Sequence, residues 1–102
     1  MQFGLTQKDI DMICNCMSQF PEITEAVIFG SRAIGNYKTA SDIDIAIKGN
    51  NISDNTIIAL QGILENDIPL PYRFDIIAYS KINNTDLTAH IQRVGKTLYH
   101  TK

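Results

Sequence analysis

The segment Asp42-Ile43-Asp44-Ile45 combines residue types and spacing that point directly to chemistry. In an extended strand successive side chains point to opposite faces, so both carboxylates share one face and the isoleucines the other. Two like charges about 6–7 Å apart along a strand repel each other and gain nothing for the fold unless a cation or basic groups sit between them. Carboxylate oxygens suit a hard cation such as Mg²⁺. An isolated Asp-x-Asp is more often just the acidic face of a half-exposed strand, so the pair counts only in company.

That company comes from two other places. Ser31 stands eleven residues before Asp42 in Phe29-Gly30-Ser31-Arg32-Ala33-Ile34-Gly35, where a β-prone run meets a glycine, a hydroxyl and a helix start. Glycine lets backbone N–H groups approach an anion closely, a helix start adds positive potential, and the serine adds a donor. This outlines a phosphate cradle, although Gly-Ser at a strand end is also a common turn. Asp75 lies in the otherwise apolar run Phe74-Asp75-Ile76-Ile77, where an unpaired buried carboxylate would be costly. If its strand lies beside the Asp42–Ile47 strand, three carboxylates converge on a spot that Gly30-Ser31 overlooks.

Alternating helices and strands must position these groups. Thr6, with Asp9 three residues on, predicts a helix start, and Ile10, Ile13, Cys14 and Met17 follow at helical spacing until Pro21. Strands are predicted at Glu25–Phe29, Asp42–Ile47 and Arg73–Tyr79. Ser53 or Asp54 caps a second helix with the stripe Ile57, Leu60, Ile63 and Leu64, and Pro69 and Pro71 flag its exit. Asn84 or Thr85 opens a last helix with Leu87, Ile91, Val94 and Leu98 along one face, unless Gly95 ends it early.

With 102 residues, a net charge of −2 and 44% hydrophobic residues, the chain reads as one globular domain over residues 1–102. It has no material for a second substrate-binding domain. The charge balance offers no basic stripe, so direct nucleic-acid binding is not expected. No apolar run approaches the roughly 20 residues that span a bilayer, and the first residues carry acids where a signal peptide would be basic and apolar, so a cytoplasmic location is expected. Cys14 and Cys16, two apart on a helix, project about 200° from each other and suit neither a disulfide nor a metal. His90 and His100 lack metal-site spacing and read as ordinary surface or core histidines, and Tyr37, Tyr72, Tyr79 and Tyr99 are too scattered for a stacking platform. Arg32 suits either a phosphate contact or an ion pair with a surface acid.

Gly30-Ser31, ten intervening residues, Asp42-Ile43-Asp44 and a later-strand Asp75 together resemble the nucleotidyltransferase superfamily of the DNA polymerase β type. The likeness is greatest to its minimal members, the MNT proteins that accompany HEPN-domain partners in toxin–antitoxin pairs. The resemblance implies an α/β (α+β) fold, a small mixed β-sheet flanked by helices. It implies Mg²⁺, as two ions, held by Asp42, Asp44 and Asp75, with ATP as the substrate whose AMP is transferred to a hydroxyl. Gly30, Ser31 and Arg32 become the nucleotide-binding residues, and the acceptor becomes a tyrosine of a HEPN-domain partner. Minimal members often carry a second basic residue two positions after Arg32, where this chain has Ile34; Lys38 and Arg73 are the other candidates for that charge. The same resemblance carries a second expectation, an antitoxin that neutralises its HEPN partner by covering it, with a vestigial site.

Overall fold

The computed structural model describes residues 2–101. Helix α1, Gln7–Ser18, begins as its capping residues dictate: the Thr6 hydroxyl accepts the Asp9 N–H and the Asp9 carboxylate accepts the Thr6 N–H, both at 3.1 Å. It ends ahead of Pro21. There follow β1 (Ile23–Phe29), the short α2 (Gly30–Ile34), β2 (Ile43–Gly49) and α3 (Asp54–Gly62), the last capped by the Ser53 hydroxyl. A π-helical turn, Ile63–Asp67, leads towards β3 (Phe74–Ala78), and a 3₁₀ turn at Tyr79–Lys81 precedes α4 (Thr85–Val94) and β4 (Lys96–His100).

The four strands form one mixed sheet in the order β3-β2-β1-β4, with β1 antiparallel to β2 and β4, and β2 parallel to β3. A parallel pair needs a crossover, which α3 and the π-helical turn supply. One face of the sheet carries Ile28, Ile43, Ile45, Ile47 and Ile76 into the main core, where Leu5, Ile13, Met17, Leu60 and Leu64 meet them. On the other face Val27, Phe29 and Ala46 pack against Ile91 of α4 in a smaller cluster. Asp44 and Asp75 lie further along this second face, by the period-2 alternation of their strands.

Two expectations are corrected. Strand β2 starts at Ile43, one residue later than predicted, which leaves Asp42 in the preceding loop; the Ile43 N–H is held by the Arg73 carbonyl at 2.9 Å. The last helix stops at Val94, and Leu98 belongs to a fourth strand. Gly95 makes the break: its N–H bonds the Ile91 carbonyl at 2.8 Å, its own backbone is extended, and a Cβ there would overlap that carbonyl. Once released, Lys96–His100 adds to the open edge of β1. Among the described residues no helix is long and apolar enough to cross a membrane.

Candidate active site

The parallel register of β2 on β3 places Asp44 directly opposite Asp75. Neighbouring strands lie about 4.8 Å apart, so the two carboxylates stand side by side on one sheet face. Asp44 is half-buried, whereas Asp75 and the loop residue Asp42 are exposed. The Asp44 carboxyl is held above the ordinary carboxylate range, mainly because burial disfavours its charge, then because Asp75 and Asp42 repel it; His90 acts in the opposite sense. Asp44 thus feels the charge of both other acids.

Among the described residues the ion pairs are Lys48 with Glu25 and Lys81 with Asp54, so no lysine or arginine bridges to these three acids. Hard oxygen donors and clustered negative charge are the chemistry that a divalent ion takes. As the side chains stand, no three acidic, histidine or cysteine groups among the described residues converge into a finished metal cage. Holding an ion requires the exposed Asp42 and Asp75 to turn towards Asp44. Beside them opens a polar cleft of about 530 Å³ lined by Asp42, Asp75, Gln61, Glu65, Tyr72 and Arg73. A larger apolar groove of about 690 Å³ follows the free edge of β3 past Ile57, Ile77 and Leu87 and contains none of the three acids.

The turn from β1 into α2 brings the predicted cradle to the same place. Phe29 pairs with Asp44 across the β1–β2 ladder, so the next residue, Gly30, lies against the Asp44 side chain. A Cβ on Gly30 would overlap Asp44 Oδ2, and its φ of +74° is in the left-handed region. Only glycine meets both conditions without strain. Ser31 follows in the first turn of α2, half-buried. Four of the predicted residues are thus assembled directly: Gly30 and Ser31 above Asp44, with Asp75 beside it. Asp42 adjoins through its field.

Arg32 is corrected on both of its expected roles. It is only 2% exposed, and its guanidinium donates to the carbonyls of Ser41, Phe3 and Thr39 at 2.9–3.3 Å. Tyr37 and Tyr72 lie against the cation with ring centroids 5.2 and 4.9 Å from Cζ. Its donors are committed to carbonyls, and it pairs with no acid among the described residues. Its fork ties the loop ahead of Asp42 to the N-terminal segment, a role that needs the several fixed donors of arginine. Ile34, two residues on at the end of α2, is apolar and 53% exposed, so α2 presents no basic side chain to the site.

His90 is the residue that sequence reasoning missed. From α4 its Nε2 accepts the Gly30 N–H at 3.3 Å, and its ring meets Phe29 edge-on at 6.2 Å. No spacing in the sequence marks it, because the contact exists only once α4 packs beside α2. Cys14 is half-buried and Cys16 buried, both as free thiols, and burial pushes both thiols up.

The family model described as polymerase beta, nucleotidyltransferase matches residues 9–102. No curated protein matches the chain. Among solved structures, a toxin–antitoxin complex with AMP-PNP superposes at a TM-score of 0.73 with 23% identity, over 96% of this chain and 76% of that one. The toxin–antitoxin pair MntA-HepT gives 0.70 and 21%, over 94% and 74%. A tri-AMPylated Shewanella oneidensis HEPN toxin in complex with its MNT antitoxin gives 0.71 and 21%, over 95% and 74%. At these identities the likeness shows a shared fold, and with it the expected mixed sheet flanked by helices. On the family match, which spans nearly the whole chain, this protein belongs to the polymerase β nucleotidyltransferase family.

Proposed function

We propose that the chain is a Mg²⁺-dependent nucleotidyltransferase that moves AMP from ATP onto a tyrosine hydroxyl of a HEPN-domain toxin and thereby acts as its antitoxin. The observation that carries this reading is Gly30 seated on Asp44, with Asp75 in register beside it. A phosphate-holding turn is joined to a carboxylate cluster at one point. Asp42, Asp44 and Asp75 would hold the metal, two ions in the fullest form, and the metal when bound neutralises phosphate charge and lowers the pKa of the attacking hydroxyl.

The remaining work falls to the chain. Ser31 and the amide at Gly30 hold the β- and γ-phosphates, which fixes the α-phosphorus over Asp44. The tyrosine oxygen forms a bond to that phosphorus as the bond to the β-phosphate oxygen breaks. Pyrophosphate departs, and the hydroxyl proton passes to Asp75, the exposed carboxylate on the open side. Asp75 is exposed beside an open polar cleft, which leaves room for a partner's tyrosine to reach it. The similarity to toxin–antitoxin complexes, one with an AMPylated HEPN toxin, supports such a partner.

A second reading, an antitoxin that works by covering its partner, is favoured by one observation: Arg32 is committed to carbonyls and Ile34 is apolar, so α2 contributes no charge to a triphosphate. Incubation of the chain and its HEPN partner with each NTP and Mg²⁺, followed by intact-mass measurement, separates the two. Added nucleotide on the partner supports transfer; tight binding with no added mass supports covering.

A further inference from the structure

The Gly30 amide, the first donor of the cradle, is not free: His90 Nε2 already accepts it at 3.3 Å. A phosphate oxygen that takes this N–H must displace the imidazole, which stays at the rim of the site. The ring meets Phe29 edge-on and sits half-buried on α4. With Nε2 accepting the Gly30 N–H, the ring's own hydrogen sits on Nδ1. Tautomer exchange moves that hydrogen to Nε2 and turns the displaced acceptor into a donor facing the phosphate.

The site has a need for such a group. Arg32 is consumed by carbonyls, and Ile34 is apolar. The basic residues that flank α2 come instead from α4 and the residues after it: Arg93 and Lys96 line a shallow groove against Ala33 and Ile34, and His90 reaches Gly30 itself. We infer that His90 is a phosphate-binding residue of this site, exchanging its hold on the Gly30 amide for a hydrogen bond to a non-bridging oxygen of the triphosphate. This inference rests on the reading of the site as a triphosphate site.

Calorimetric titration of MgATP and of AMP into the wild type, His90→Phe, His90→Gln and Ser31→Ala tests it. Phenylalanine keeps the ring contact with Phe29 and removes the nitrogen; glutamine restores a donor. His90→Phe is expected to weaken MgATP about tenfold, the loss of one hydrogen bond to a charged acceptor, while AMP changes by less than about twofold. His90→Gln recovers most of the MgATP affinity. If His90→Phe fails to fold, His90→Leu makes the same comparison. Should Ser31→Ala weaken MgATP while His90→Phe binds it as the wild type does or more tightly, His90 is not a phosphate ligand and the site reading stands. A folded wild type that binds no Mg-triphosphate overturns both.

Discussion

Asp44 of β2 faces Asp75 of β3 across a parallel ladder, with no lysine or arginine in ion-pair contact with either among the described residues. Side-by-side carboxylates weaken a fold unless a ligand uses them.

Replacing Asp42 and Asp44 together by asparagine removes that repulsion while keeping shape. Nucleotide transfer is expected to fall by about a thousandfold or more, since the metal loses its ligands. The melting temperature in EDTA is expected to stay the same or rise. Scanning calorimetry checks the second point; an unfolded double variant would make the acids structural.

Asp44 also sets a pH dependence. Its carboxyl is raised in the folded chain, mainly by burial. Between the ordinary carboxylate value and the raised one, the folded chain therefore binds more protons than the unfolded chain, and stability falls as pH increases through that window. The penalty is fully present above the raised value and is relieved in acid. In metal-free melts across pH, Asp44→Asn is expected to gain on the wild type as pH increases and to lose its advantage below the window. Parallel curves would contradict the assignment.

Arg32→Ala leaves the Ser41, Phe3 and Thr39 carbonyls short of donors and opens a space between Tyr37 and Tyr72. A loss of about 3 kcal/mol or more is expected, which for a domain of this size lowers the melting temperature by roughly ten degrees or more. Arg32→Lys recovers little of it, because one ammonium cannot span three carbonyls. Urea melts of the two variants measure this, and a loss confined to nucleotide affinity would return Arg32 to a phosphate role.

Ser31→Ala and Gly30→Val are expected to blunt the rise in melting temperature that MgATP produces, the valine more severely. Its Cβ strikes Asp44 Oδ2, and φ at +74° is unfavourable for a β-branched residue. Thermal-shift titration reads the effect; wild-type responses in both variants would move the cradle elsewhere.

The residues themselves disclosed more of the site than of its frame. Period-2 alternation puts Asp44 and Asp75 on one face, but Asp42 falls in the loop before β2, and Asp75 is exposed rather than buried, so the cost of burying it was not the reason for its company. Strand β4 was hidden because Leu87, Ile91, Val94 and Leu98 keep helical spacing straight across Gly95, and only the vacant edge of β1 recruits the last five residues of that stretch. The fate of Arg32 was hidden for a related reason. Its partners are backbone carbonyls of Phe3, Thr39 and Ser41, which no side-chain pattern can advertise. His90 depends on α4 packing beside α2, a tertiary event with no local signature.

The proposed transfer of AMP to a partner tyrosine is read by intact-mass spectrometry of the HEPN partner after incubation with this chain, ATP and Mg²⁺. The expected product is a partner heavier by one or more units of about 329 Da, the formula mass of a transferred AMP group, on tyrosine, with the addition lost in Asp75→Asn. A correctly folded pair that binds tightly while no nucleotide adds mass to either chain would contradict it and leave neutralisation by covering.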